Sequence, residues 1–293
     1  MRKPASLRRV KARSMMKTKA KRGDLMREVG GPTLGGVRRA FDDTSVVAGL
    51  TPQRLSRLLR QVDAGDPEAY LTLAMEMEER DAHYGAVLRI RRLAVQSLPL
   101  MIEPGDESPR ALEIAEAVQT HVLNRAEFSD LLAHSMDALG KGYAAVEHIW
   151  QPSPDKTLLL PVAYEWRDPR WFKLDEVDGR TLRLMSDAAP NGEDLQRYKW
   201  SVHTPRQKSG LPIRSGLARL AAWSYLFKNY AVKDWVTFAE AYGMPLRLGK
   251  YGAEATEEDK EVLFRAVRGL GVDQAAIIPQ SMDISFEQAM SGS

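Results

Sequence analysis

The chain has 293 residues, enough for one large domain or two modest ones, and 44% of them are hydrophobic, an ordinary globular share. It has no cysteine, which excludes a disulfide framework, a thiolate zinc site and a cysteine nucleophile. The net charge of +3 hides an asymmetry: residues 1–22 hold ten of the 42 basic side chains and no acid, which leaves 32 against 39, or −7, for residues 23–293.

Arg2, Lys3, Arg8, Arg9, Lys11, Arg13, Lys17, Lys19, Lys21 and Arg22 make residues 1–22 a basic, disordered tail. Such an arm is drawn to polyanions by counterion release, although a solvated chain end has the same composition. No apolar run follows it, so no signal peptide is legible. Residues 23–50 are glycine-rich and read as an irregular arm. Their GGPTLGG run lacks the Lys-Ser/Thr sequel of a phosphate loop.

Three helices begin with the same device, a capping side chain before proline, at Thr51-Pro52, Asp66-Pro67 and Ser108-Pro109. The first carries Leu55, Leu58, Leu59 and Val62. The second runs from Pro67 to about Gln96, broken or continuous, with a face of Leu71, Ala74, Met75, Val87, Ile90 and Val95. Arg89, Arg91 and Arg92 on it read as a solvated face. Leu98 to Glu103 reads as a short strand. The third helix carries Ile114, Ala115, Val118 and Val122, and a fourth carries Phe128, Leu131, Leu132, Ser135 and Leu139.

From Gly142 the period becomes alternating. Strands are predicted at Tyr143–Trp150, Leu158–Trp166, Trp171–Leu174, Thr181–Met185 and Tyr198–His203, with Asp178-Gly179 as a hairpin turn. Helices followed by antiparallel strands indicate an α+β fold. Leu211 to Leu248 then holds one long helix. Leu217, Leu220, Ala221, Ser224, Phe227 and Ala231 share a face, and Gly243 and Pro245 end it. Arg219, Lys228, Lys233, Asp234 and Glu240 interrupt it, so no run approaches the ~18–20 apolar residues of a membrane span. Its aromatic density predicts that Trp223, Phe227, Trp235 and Phe238 are buried, some against the chain's own sheet and some against a neighbouring subunit. The last 50 residues read as a small β-α-β-β unit: Met244–Tyr251, a helix capped by Thr256, then Ala275–Ile278 and Asp283–Phe286.

No catalytic constellation is convincing. The five histidines have no metal-ligand spacing, and nucleophile-elbow, Walker and dinucleotide sequences are absent. No cofactor is expected. Glu165, Asp168, Asp175, Glu176 and Asp178, beside Arg167, Arg170 and Lys173, could be bent into a Mg²⁺ nuclease site, but turn formation explains Asp168 and Asp178 better.

GKGYAAVEHIW, DPRWFKLD, VHTPRQKSGLPIRSGLARL, FAEAYGMPLRLGKY and AAIIPQSMDISFEQA together resemble the portal proteins of Mu-like tailed bacteriophages and prophages, over roughly residues 120 to 290. The resemblance implies a structural, non-enzymatic subunit of a ring, typically of twelve, at one capsid vertex. Double-stranded DNA would be packaged and ejected through the ring. The implied partners are further copies of the chain, the terminase packaging motor, and capsid and head-completion proteins, with no membrane. The implied location is the virion, reached through the host cytoplasm. By resemblance, residues 23–210 are a wing-like α+β domain, 211–243 a stem-like helix beside the channel and 244–293 a clip-like unit, with Arg219, Lys228 and Lys233 near DNA. Portals of this family continue further, so the chain reads as C-terminally truncated. The alternatives are another nucleic-acid-binding protein or nuclease, suggested by the basic tail, and a head-morphogenesis adaptor.

Overall fold

A computed structural model describes residues 21–32, 45–242, 246–269 and 282–287. The basic tail up to Ala20, the predicted strand Ala275–Ile278 and the helix stop at Gly243 and Pro245 lie outside them. The fold combines helices with antiparallel sheets, as the order of sequence patterns indicates. The chain divides into two compact units, Met1–Leu226 and Phe227–Ser293.

In the first unit, a short helix α1 (Arg22–Met26) precedes α2 (Pro52–Asp63), α3 (Glu68–Arg80) and α4 (Ala82–Gln96). Thr51 caps α2 by accepting from the Arg54 N–H at 3.1 Å, with Pro52 in the first turn, and Leu55, Leu58 and Val62 are buried as the spacing requires. The α3–α4 pattern is broken at Asp81. Its carboxylate accepts from His83 N–H at 3.1 Å and Tyr84 N–H at 3.2 Å, so one residue ends a helix and starts the next. The expected α4 face does not hold: Leu88 is buried, while Val87 and Ile90 are exposed. Arg92 belongs to no solvated face either. It lies between Glu78 and Asp137, and Asp137 also accepts from Trp166 Nε1–H and Lys141.

Leu98 to Glu103 forms no strand, and no strand pairs with it among the described residues. Ser108 then caps α5 (Pro109–Val118), which passes into a π turn (Gln119–Leu123). The predicted fourth helix is two, α6 (Glu127–Ser135) and α7 (Ala138–Lys141).

Strand β1 (Ala144–Pro152) is the centre of an antiparallel sheet, with β2 (Leu159–Arg167) on one side and β6 (Trp200–His203) on the other. A second sheet has the order β3 (Phe172–Leu174), β4 (Leu182–Ser186), β5 (Ala189–Asp194). β5 has no apolar alternation and escaped the sequence reading; its polar residues complete the edge beside β4. The core joins α2 and α3 to Phe172, Leu182, Leu184, Leu195 and Trp200, with Phe172 and Trp200 in edge-to-face contact at 5.5 Å.

His148, on β1, stands edge-on to Tyr164 and shares a hydrogen bond with Ser201 at 2.8 Å. Burial, with the Lys199 charge, pushes its imidazole down to about 4. The folded state therefore favours the neutral ring. Stability is present at neutral pH and is lost as pH falls from the unfolded value near 6.5, by about 3 kcal/mol at pH 4. Urea midpoints measured between pH 7 and 4 should fall along this curve, and His148→Phe should flatten it. An unchanged curve in the variant assigns the acid sensitivity elsewhere.

The second unit contains β7 (Leu246–Tyr251) paired antiparallel with β8 (Met282–Glu287), and α9 (Glu257–Gly269). Thr256 and Asp259 cap α9 reciprocally. Among the described side chains of this unit, Leu263 is the buried apolar one, while Val262 and Phe264 are exposed.

Candidate functional site

The long helix α8 (Leu217–Tyr242) holds most of the side chains singled out from the sequence, and the boundary between the two units falls within it. Its first ten residues belong to the core of the first unit. Ala218, Ala222, Tyr225 and Leu226 are buried, at spacings of four, three and one. This is not the face expected from the pattern: Leu220 is 79% exposed and Ser224 is exposed as well. Two alanines point inward because small side chains let the helix come close to the layer beneath it, and Leu220 is turned away. Arg219 binds Asp63 of α2 at 2.9 Å and reaches the Leu59 carbonyl oxygen, so it ties α8 to α2. Trp223 packs half-buried against the core.

From Phe227 to Glu240 every residue is exposed in the single chain. Phe227 is 55% exposed, Trp235 71% and Phe238 54%. At about 100° per residue, Phe227, Tyr230, Ala231, Trp235 and Phe238 fall within an arc of about 140°. The chain's own core therefore covers Trp223 in part and leaves the other three aromatics in solvent. The cations do not form one stripe. Arg219 and Lys233 lie about 40° apart around the helix, whereas Lys228 is about 140° from Lys233, beside Trp235.

The acids of residues 165–178 do not converge on a metal. Asp168 is held by Arg170, with Nη2 to Oδ2 at 2.7 Å, and Asp175 by Arg183 at 2.7 Å. Glu176 meets Lys173 at 3.0 Å. Asp178 accepts from the Thr181 hydroxyl and from the N–H groups of Thr181 and Arg180, which hold its carboxyl at about 2. Among the described residues no three metal-ligating side chains cluster, and no helix is long and apolar enough to cross a membrane.

A buried charge cluster escaped the sequence reading. Glu147 of β1 and Lys199, just before β6, are fully buried and 3.1 Å apart, and Arg167 of β2 donates to Glu147 at 2.8 Å. Glu147 also accepts from the Val29 and Gly30 N–H groups, and Lys199 donates to the Leu25 carbonyl oxygen at 3.1 Å. The glycine-rich arm is thus clasped to the sheet by charges. The one available signal was a charged residue interrupting the apolar run Tyr143–Val146.

Residues 71–293 match the family model of the portal protein of Mu bacteriophage. The Mu-like prophage FluMu protein gp29 of Haemophilus influenzae is 38% identical over 247 residues, which is 84% of this chain and 47% of that protein. The portal protein of Escherichia phage Mu is 36% identical over 246 residues, 84% of this chain and 48% of that protein. The chain spans about half the length of the curated relatives it matches. An HK97 family phage portal protein from Corynebacterium diphtheriae, a solved structure, is 14% identical over 66% of this chain and 56% of that one, with a TM-score of 0.28.

Proposed function

The chain belongs to the portal protein family of Mu bacteriophage, and on that premise we propose that it is a subunit of a phage portal, a ring at one capsid vertex through which double-stranded DNA is packaged and ejected. The observation that carries the reading is the second half of α8. A helix that exposes Phe227, Tyr230, Trp235 and Phe238 together leaves an apolar stripe that a lone soluble chain rarely tolerates. A ring supplies the cover, because each subunit presents one face of the helix to its neighbour. The second unit supports the same reading, since its described part buries little apolar surface of its own.

In this arrangement residues 23–210 form the wing, 211–243 the stem and 244–293 the clip that meets the packaging motor. Trp223 anchors the stem to its own wing, and Phe227, Trp235 and Phe238 pack against the next subunit. Lys233, on the side of the stem away from Trp235, faces passing DNA, whereas Lys228 lies beside Trp235 at the subunit contact and Arg219 is engaged with Asp63. Few charges suit a channel that must let DNA slide. The role is structural, the location is the capsid vertex after assembly in the host cytoplasm, and the further partners are capsid and head-completion proteins.

Imaging by negative-stain electron microscopy, together with light scattering, tests the ring. The parent chain is expected to give ring particles. Trp235→Ser combined with Phe238→Ser is expected to give monomers with an unchanged melting temperature. Parent monomers at high concentration, or a double variant that still forms rings, would overturn the reading.

A further inference from the structure

An open cavity of about 460 Å³ lies on the first unit, in the segment between β6 and α8. Its lining includes Arg180, Arg206, Lys208, Thr204, Ser209 and Ser215, and no acid among the described residues. The cavity is built rather than incidental. Pro205 is buried at one end of the loop, and Ile213 and Ser215 are buried at the other, within a 3₁₀ turn, Pro212–Ser215. Ser215 Oγ–H donates to the Lys208 carbonyl oxygen at 3.3 Å and draws the loop across. The hairpin turn between β3 and β4 comes against the same loop: a Cβ on Gly179 would lie 2.9 Å from Leu211 Cδ2. That approach brings Arg180, from a different part of the chain, to Arg206 and Lys208.

The three cations differ from the paired cations of the unit. Arg92, Arg167, Arg170, Arg183 and Lys199 each have a carboxylate partner. The side chains of Arg180, Arg206 and Lys208 have no ion pair or hydrogen bond among the described residues. Asp178, the acid nearest in sequence to Arg180, is occupied by the turn it caps. Three like charges around one concavity give it a positive potential that favours an anion. Two guanidinium groups, an ammonium and hydroxyls match the oxygens of a phosphate, which arginine binds with paired N–H donors. The volume admits a phosphate group with its remaining water.

We propose that this cavity is a binding site for a phosphate group, carried either by a nucleic-acid backbone or by a soluble phosphate. The proposal goes beyond the portal reading and needs no ring, since every residue involved belongs to one unit of one chain.

Titration of the full chain with inorganic phosphate, followed by two-dimensional amide NMR, tests it. The Ser209 and Gly210 amide signals should shift and saturate. Arg206→Ala combined with Lys208→Ala should weaken this binding at least tenfold without changing the melting temperature, while Arg57→Ala, an exposed arginine on α2, should leave it intact. A second arm measures binding of a short DNA duplex against salt. If the backbone is the source, the double variant lowers the salt slope by about 0.9 for each phosphate that is no longer neutralised. Phosphate binding with an unchanged DNA slope assigns the site to a soluble phosphate. If phosphate leaves Ser209 and Gly210 unmoved, or if the double variant binds it as the parent does, the proposal fails.

Discussion

Replacing Glu147 with alanine is expected to destabilise the first unit by about 3–5 kcal/mol, seen as a lower urea midpoint with an unchanged slope. The carboxylate lies at the centre of the sheet between two cations: Lys199, fully buried, and Arg167, nearly so, which also pairs with the more exposed Glu28 at 2.9 Å. Removing it leaves Lys199 buried without its adjacent carboxylate, leaves Arg167 with the exposed Glu28, and leaves the Val29 and Gly30 N–H groups without their acceptor. The residues around Arg27 should then become accessible to trypsin. Glu147→Leu with Lys199→Met should recover part of the loss, because a pair removed together leaves less charge stranded. A cost below about 1 kcal/mol would mean that the arm is held by something else. The same carboxylate gives a pH signature. Burial raises its pKa, but the two N–H donors, Arg167 and Lys199 outweigh that and hold it below the usual glutamate value. A depressed folded pKa means stability that is present above the unfolded value near 4.3 and lost as pH falls through the folded one. Its window begins at the acid end of the His148 range and extends below it, so the two are separated by variant.

Gly142→Ala is expected to cost about 3 kcal/mol, combining the backbone penalty with overpacking. Gly142 ends α7 at φ +101°, a left-handed conformation in which a Cβ is crowded. Here the Cβ would also stand 2.8 Å from the Cα and carbonyl oxygen of Ile213, and 2.9 Å from the Pro212 carbonyl oxygen. These are backbone atoms and cannot rotate away, so the turn that leads into α8 would have to move. Gly65, after α2, has φ +100° with nothing within 4 Å of where a Cβ would stand, and it isolates the backbone part. Gly65→Ala should therefore cost about 1–2 kcal/mol. Equal thermal shifts for the two variants would show that the contact with Ile213 is not what requires glycine.

The positions that sequence reading placed well are those whose cause is local. Thr51 and Ser108 cap helices through N–H groups three residues away, and Asp178 folds its turn through Arg180 and Thr181. One local signal failed, since Asp66 does not cap α3, which begins at Glu68 after Pro67; the other errors share the opposite property. Leu98 to Glu103 has strand-like residues but no partner strand among the described residues, and β5 has poor strand residues but finds β4. On α8 the apolar residues surround the helix, so the pattern cannot choose a face; close packing chose Ala218 and Ala222 over Leu220.

Apart from the family resemblance, which rests on whole matching segments, residue patterns set the order of helices before strands and located the long helix and its aromatics. These follow from spacing along the chain, which the sequence states directly. The tertiary structure alone decided which side of α8 meets the core, and that its Phe227 to Glu240 half lies uncovered in one chain. It alone also decided that Glu147 finds Lys199 and that Arg180 joins Arg206 and Lys208. Each of these depends on groups brought together from distant positions, and their energies come from burial and charge in three dimensions rather than from any residue's own preference.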